Sequence, residues 1–314
     1  MRGSALLCLF ALGAAQGCAG HPASTDSLGP ATSSSASSSA ASSLPSAPAI
    51  PPAFDVPFDI RLRTQLAQTH LGDDAQVDIE EGVFVLVASK GARSFQPSVA
   101  MVRQAIPALY NGRFSRRPTR PVSVFLFDDK ESYGEFCKTR YHEACPSPFG
   151  VYASWFREIF VDQHYGISTV IHELVHPILE ADFPRAPRWL REGISALFET
   201  PIISGTEIHG TKGWRSKDFH DPFEPEKPAR LDALFSLPDD AFTSGASVAR
   251  AAYAIARFAC YWLDSPGQNN LWKFYQRWRD HLDEDPTGEK SFGEVMGQTP
   301  HEASDAWQKW VRSQ

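Results

Sequence analysis

The chain has 314 residues, of which 42% are aliphatic, aromatic or Cys and 21% are charged, an ordinary balance for a globular protein. Lys plus Arg number 30 against 37 Asp plus Glu, a net charge of -7, which argues against nucleic acid as a partner because phosphate binding needs a basic surface. Beyond the N-terminus no apolar run reaches the ~18 residues of a membrane span, and five Cys are too few for a disulfide-dense scaffold.

Residues 1 to 20 read MRGSALLCLFALGAAQGCAG. Arg2 precedes an apolar stretch, Ala5 to Ala15, that is too short to span a bilayer, and small residues then lead to Cys18. Ala15-Gln16-Gly17-Cys18 resembles a bacterial lipoprotein signal, in which the Cys becomes the lipidated first residue, although Ala15 stands where that signal usually has Leu. Gly17-Cys18-Ala19 also fits an ordinary cleavage site, and a disordered apolar tail is the third reading. The first two place the mature protein outside the cytoplasm, in the cell envelope or secreted. A lipid on Cys18 is then the expected membrane attachment.

Residues 21 to 53 are dominated by Ser, Ala and Pro, with little large apolar surface to offset the entropy of ordering, and are read as a flexible tether. Residues 54 to 314 are expected to form one domain with two lobes. In an oxidising setting Cys137 and Cys145, which flank a short polar segment, are candidates for a disulfide or remain two thiols. Cys260 lies among Phe258, Ala259, Tyr261 and Trp262 and is expected to be a buried thiol.

Val83 to Ala88 (VFVLVA) predicts a strand. Ser98 to Tyr110 carries Val99, Val102, Ile106, Leu109 and Tyr110 at helical spacing, and Pro107 is expected to bend or interrupt that helix. Val122 to Phe127 predicts a second strand, and Asp128 and Asp129 open a helix bearing Tyr133, Phe136 and Cys137. Gly150 to Ala153 and Ile159 to Asp162 read as a hairpin or sheet edge. Strands dominate the first half and helices the second, which predicts an α+β architecture.

Residues 168 to 199 read STVIHELVHPILEADFPRAPRWLREGISALFE. Ser168 or Thr169 suits the N-cap of a helix that begins near Val170. His172 and His176, four apart, share one helical face, so both imidazoles can reach one zinc ion. Glu173, about 100° further round the helix, is placed to hold a metal-bound water and take its proton. Chance placement gives roughly 0.02 such His-Glu-x-x-His matches in a chain of this composition. The apolar frame of Val170, Ile171, Leu174, Val175, Ile178 and Leu179 adds context. A turn with Pro184 and Pro187 leads to a second amphipathic helix, Pro187 to Glu199, with Pro187 in its first turn. Packed against the first helix, it brings Glu192 to face the two histidines; two His and one Glu leave a fourth tetrahedral position for water.

His172-Glu173-Leu174-Val175-His176 followed by Trp189-Leu190-Arg191-Glu192-Gly193 resembles the gluzincins, above all the peptidase MA-like group of extracytoplasmic metallopeptidases. The resemblance extends loosely over residues 80 to 314. It implies a zincin-like metallopeptidase fold with a mixed-sheet N-terminal lobe and a helical C-terminal lobe. It further implies one Zn2+ on His172, His176 and Glu192, Glu173 as general base, and a peptide or protein substrate laid along the Gly150 to Ala153 strand.

Pro177 departs from this pattern. It removes the N–H that would bond the carbonyl of Glu173, a change costing about 3 kcal/mol inside a helix, so the helix is expected to bend or stop at His176. An alternative follows: a catalytically weak or inactive zinc-binding envelope lipoprotein that serves as an interaction module. An interaction protein without metal, docking through its Trp-rich C-terminal half, is the third reading. Glu199 and Glu180 are substitute ligands should Glu192 lie at the surface. Tyr253, at the start of YAIARFACYWL, is nominated to donate a hydrogen bond to the oxyanion, with a core aromatic as its plain alternative. His209 and His220 are assigned to a solvated loop, Trp262, Trp272 and Trp278 to the core, and a Trp-containing helix is expected after Gly297.

Overall fold

A computed structural model describes residues 54–213 and 229–314. Helix α1 (Val56–Leu71) leads into strands β1 (Gln76–Glu80) and β2 (Phe84–Ala88). Next come helix α2 (Phe95–Tyr110), strand β3 (Val122–Phe127), helix α3 (Lys130–Tyr141), and strands β4 (Gly150–Ala153) and β5 (Glu158–Asp162). Helices α4 (Thr169–Asp182) and α5 (Arg188–Leu197) follow, then the short strands β6 (Ile202–Ser204) and β7 (Glu207–His209). The chain ends in α6 (Leu231–Phe235), α7 (Ala246–Asp264), α8 (Leu271–Asp280), α9 (Glu289–Met296) and α10 (Pro300–Arg312). The order of strands before helices matches the α+β expectation.

The main sheet runs β1-β2-β3-β5-β4 and is mixed: β2, β3 and β5 are parallel neighbours, while β1 and β4 pair antiparallel at the two ends. Alternation divides its side chains between two cores. Phe84, Leu86, Val122, Val124, Leu126, Ile159 and Val161 face a large core shared with α2, α4, α5 and the C-terminal helices. Val85, Val87, Phe125, Phe127 and Phe160 face a smaller core under α1 and α3. Burial on both faces explains why the central strands read as continuous apolar runs.

Helix α1 and strand β1 have no clear signature in the sequence, because α1 has weak amphipathicity and β1 mixes polar with apolar residues. Helix α2 starts at Phe95, three residues earlier than expected, and runs through Pro107 to Tyr110. Asp129 caps α3, accepting from the Ser132 N–H at 2.8 Å. Cys137 and Cys145 are bonded, which ties the loop before β4 to α3, and Cys260 is a buried free thiol. Pro187 stands at the N-cap of α5 rather than in its first turn. Tyr253 lies seven residues into α7, not at its start. Helix α10 begins with a Thr299/Glu302 capping box.

Of the two outcomes expected at Pro177, a bend or a stop, the stop does not occur. Helix α4 continues to Asp182 with Pro177, Ile178 and Leu179 buried. Two fully buried aliphatic side chains contribute roughly 1.5–3 kcal/mol each, enough to offset one lost helical bond. Asp182 adds a second restraint. Its buried carboxylate accepts from the N–H groups of Ser115 (2.9 Å) and Arg116 (2.7 Å), from Tyr275 Oη (2.8 Å) and from Arg279 Nη1 (2.8 Å). Burial works to raise the Asp182 pKa, but Arg279, Tyr275 and the two N–H groups outweigh it and hold the carboxyl below its ordinary range.

A carboxyl with a depressed folded-state pKa contributes stability above its unfolded pKa, ~3.9, and that contribution is lost as pH falls through the folded value. Asp182→Asn is expected to cost about 3 kcal/mol at neutral pH by removing the buried one of the two carboxylates that pair with Arg279, which leaves it Asp280 at the surface. The variant's urea midpoint should depend less on acid than the parent's, and equal midpoints for the two chains at pH 7 contradict this assignment.

Candidate metal centre

Helix α5 is wedged between α4 and α7. At Gly193 a side chain is excluded: a Cβ there meets Ala256 O and Cys260 Sγ, each at 2.7 Å. This close approach of α5 to α7 fixes the rotation of α5 and with it the direction of the preceding residue, Glu192.

His172 and His176 lie on the face of α4 that meets Glu192. The Nε2 atoms of both histidines are 3.9 Å from the same Glu192 oxygen, Oε2. The other oxygen, Oε1, is 3.5 Å from Arg188 Nε. Donor atoms of His172, Glu173 and His176 lie within 4.8 Å of one another. His172, Glu173 and Glu192 are buried, and His176 is nearly so.

The remaining ring nitrogens face polar side chains. His172 Nδ1 is 3.3 Å from Glu199 Oε1, and His176 Nδ1 is 3.5 Å from Ser195 Oγ. This is how metal-ligating histidines are commonly held, one nitrogen toward a carboxylate or hydroxyl and the other toward the ion. Glu199 in turn lies 3.9 Å from Nη1 of Arg257, which is fully buried on α7 and also donates to Ala196 O and Thr211 O.

The edge strand β4 closes the opposite side. Gly150 abuts the general-base candidate: a Cβ on Gly150 would stand 2.9 Å from Glu173 Oε1. Two residues on, Tyr152 lies parallel to the His176 ring, with centroids 6.5 Å apart and 6° between planes. Its hydroxyl donates to Glu180 Oε2 at 2.7 Å, and burial together with that carboxylate raises the phenol pKa.

The structure therefore brings together His172, Glu173, His176 and Glu192 as the spacing predicts. Glu199 sits behind His172, not among the atoms facing the centre, and Glu180 is engaged by Tyr152. Tyr253 stands edge-on to Phe242 at 5.1 Å, and Phe242 lies under the Arg188 guanidinium. His209 is exposed on β7 instead of in a loop; His220 lies outside the described residues. Tyr152 and Ser195 were not singled out beforehand. Alternation gives a signal for Tyr152, since it shares a strand face with Gly150, and the i, i+3 spacing gives one for Ser195 after Glu192.

The two imidazoles differ electrostatically. For His172 burial disfavours the cation, but hydrogen bonding to Glu199 and the charges of Glu173, Glu199 and Glu192 prevail and raise its pKa. For His176 burial, then His172, Arg191 and Arg188, push the pKa well down. His172 thus stabilises the metal-free fold below the unfolded pKa of ~6.5 and loses that contribution as pH rises through its folded value. His176 acts with the opposite sign, weakening the fold as pH falls below ~6.5. Imidazole NMR titration of metal-free protein should show His172 taking its proton at higher pH than His176; the reverse order refutes the assignment.

A sequence family described as "Protein of unknown function (DUF1570)" matches residues 166–282, a span that contains His172, Glu173, His176, Glu192, Glu199 and Arg257 but not β4. No curated protein matches the chain.

Proposed function

We propose that the chain is a zinc-dependent peptidase of the gluzincin type, with a zincin-like fold, acting on a peptide or protein outside the cytoplasm. One observation carries the reading: two histidine Nε2 atoms converge on one Glu192 oxygen, with the Glu173 carboxylate beside them. Two imidazoles and a carboxylate form a donor set that zinc accepts, and partners on the far nitrogens fit that use.

Zinc bound there supplies Lewis acidity, polarising a carbonyl and bringing the pKa of water toward neutrality. His172, His176 and Glu192 would hold the ion. Glu173 accepts the proton of the attacking water and passes it to the leaving amine as the peptide C–N bond breaks. Its position against Gly150 sets where that proton is taken. The outer edge of β4 is the place for an extended substrate to pair, so that the scissile bond lies over α4. Tyr253 is assigned the hydrogen bond to the oxyanion. A lipid on Cys18 is the proposed membrane attachment, with residues 21 to 53 as tether.

Purified protein is expected to hold about one zinc per chain, and a His172→Ala, His176→Ala variant none. Glu173→Gln should retain the zinc and lose cleavage of a peptide library by at least about a hundredfold. A folded parent that takes up no zinc when supplied with it sinks the reading. Zinc without turnover instead favours the inactive zinc-binding envelope protein, although Pro177, its support in the sequence, leaves α4 uninterrupted.

Gly150→Ala gives a separate check. The added methyl displaces Glu173 while leaving His172, His176 and Glu192 in place, so kcat should fall about tenfold or more at unchanged zinc content. Unchanged kcat means that the β4–Glu173 contact has no part in the reaction.

A further inference from the structure

The sequence placed any docking face in the Trp-rich C-terminal half, but Trp262, Trp278 and Trp307 are consumed by the core. Five of the nine exposed large apolar residues among the described ones lie on α1, just before it and in the turn after β4. Trp155, in the turn between β4 and β5, is 96% exposed and its neighbour Phe156 48%. On α1 and just before it, Phe54, Phe58 and Leu62 are 44%, 51% and 46% exposed. The spacing of four places Phe58 and Leu62 along one face of the helix, and Phe54 precedes its N-cap.

These two groups form one surface. Arg63 of α1 donates to Phe156 O at 3.3 Å and to Arg157 O at 3.2 Å, and the Arg157 guanidinium lies 6.0 Å from the Phe54 ring. An apolar cavity of about 220 Å3, lined by Val151, Ala153, Trp155, Phe156 and Phe160 among others, opens beside the turn.

The surface is also cationic, in a chain whose net charge is -7. Arg120 lies 4.9 Å over the Phe54 ring, Arg61 5.7 Å over Phe58 and Arg140 5.0 Å over Phe156. Arg61 and Arg120 make no ion pair among the described residues, whereas Arg140 pairs with Glu158, and Arg63 and Arg157 share Asp59. Phe54 is moreover where the Ser-, Ala- and Pro-rich stretch from Cys18 enters the fold.

We propose that this face docks on an anionic lipid bilayer. Trp155, Phe156, Phe54, Phe58 and Leu62 enter the boundary between headgroups and acyl chains, and Arg61 and Arg120 meet lipid phosphates. Aromatic rings favour that boundary, and arginine lays its carbon stem on apolar surface while its planar head bonds phosphate. The proposal is independent of the peptidase reading. It adds a second, non-covalent contact to the lipid anchor expected at Cys18, and it brings the turn that ends β4 to the membrane.

The test uses the full chain carrying Cys18→Ser, so that no lipid is attached, with vesicles of phosphatidylethanolamine and phosphatidylglycerol. The acyl chains of the vesicles are brominated. The emission that Trp155→Phe removes is the Trp155 signal, and its quenching reads entry of this turn into the bilayer whatever the N-terminal leader does. More than half of that signal should be quenched on anionic vesicles. Phe58→Ser, Leu62→Ser or Arg61→Glu, Arg120→Glu should each lower the quenching at least fivefold, with far-UV circular dichroism unchanged. Unquenched Trp155, with or without co-sedimentation of the chain, overturns the proposal. Equal quenching on neutral phosphatidylcholine overturns its anionic part. Unquenched Trp155 together with self-association that Trp155→Ser abolishes assigns the face to a second copy of this chain instead.

Discussion

A single buried cation ties the candidate centre to the helical lobe. Arg257 has no solvent exposure, and a guanidinium in that position is tolerated only if acceptors surround it. It finds them in the last turn of α5, at Ala196 O, in the segment after β7, at Thr211 O, and in the carboxylate of Glu199. Helix C-termini present unpaired carbonyls and partial negative charge, so a cation from α7 is well matched to the end of α5. Glu199, held by Arg257, stands behind His172. A line of charged groups thereby runs from the first histidine on α4 to a residue of α7 that is 85 positions away in sequence.

The segment around Arg257 shows how little slack this arrangement has. A Cβ at Gly213 would stand 2.3 Å from Arg257 Nη2, and one at Gly193 would strike α7 directly. Glycine at both places lets backbone pass where any side chain is too large. The acceptors of Arg257 and the direction of Glu192 are therefore set by close backbone approach as much as by attraction.

Much of this was readable in advance. The paired histidines and Glu173 follow from helical periodicity, because residues three or four apart share a face whatever the surroundings, and Glu192 follows from the short turn that packs the second helix on the first. The buried strands β2, β3 and β5 announce themselves as unbroken apolar runs. What escaped was set by contacts distant in sequence. Helix α1 is weakly patterned because much of its outer face is apolar and exposed, which a search for amphipathicity passes over. Tyr152 reaches His176 only because β4 pairs with β5 at the sheet edge. Pro177 was read by a local rule, and tertiary burial of Ile178 and Leu179, with the Asp182 clamp, overrode it. Local rules succeed here where one element decides the outcome and fail where two or more compete.

The contact between Gly150 and Glu173 has a mechanical consequence. No side chain intervenes between the edge strand and the carboxylate, so the two surfaces transmit displacement directly, as close-packed interiors do. The disulfide behind β4 and its ladder with β5 give the strand a stiff backing. Force applied along the free edge of β4 is thus delivered to one carboxylate oxygen instead of being dissipated in loops. Strand and carboxylate behave as a lever and its load, and whatever pairs with that edge adjusts the reach of Glu173 in the same movement.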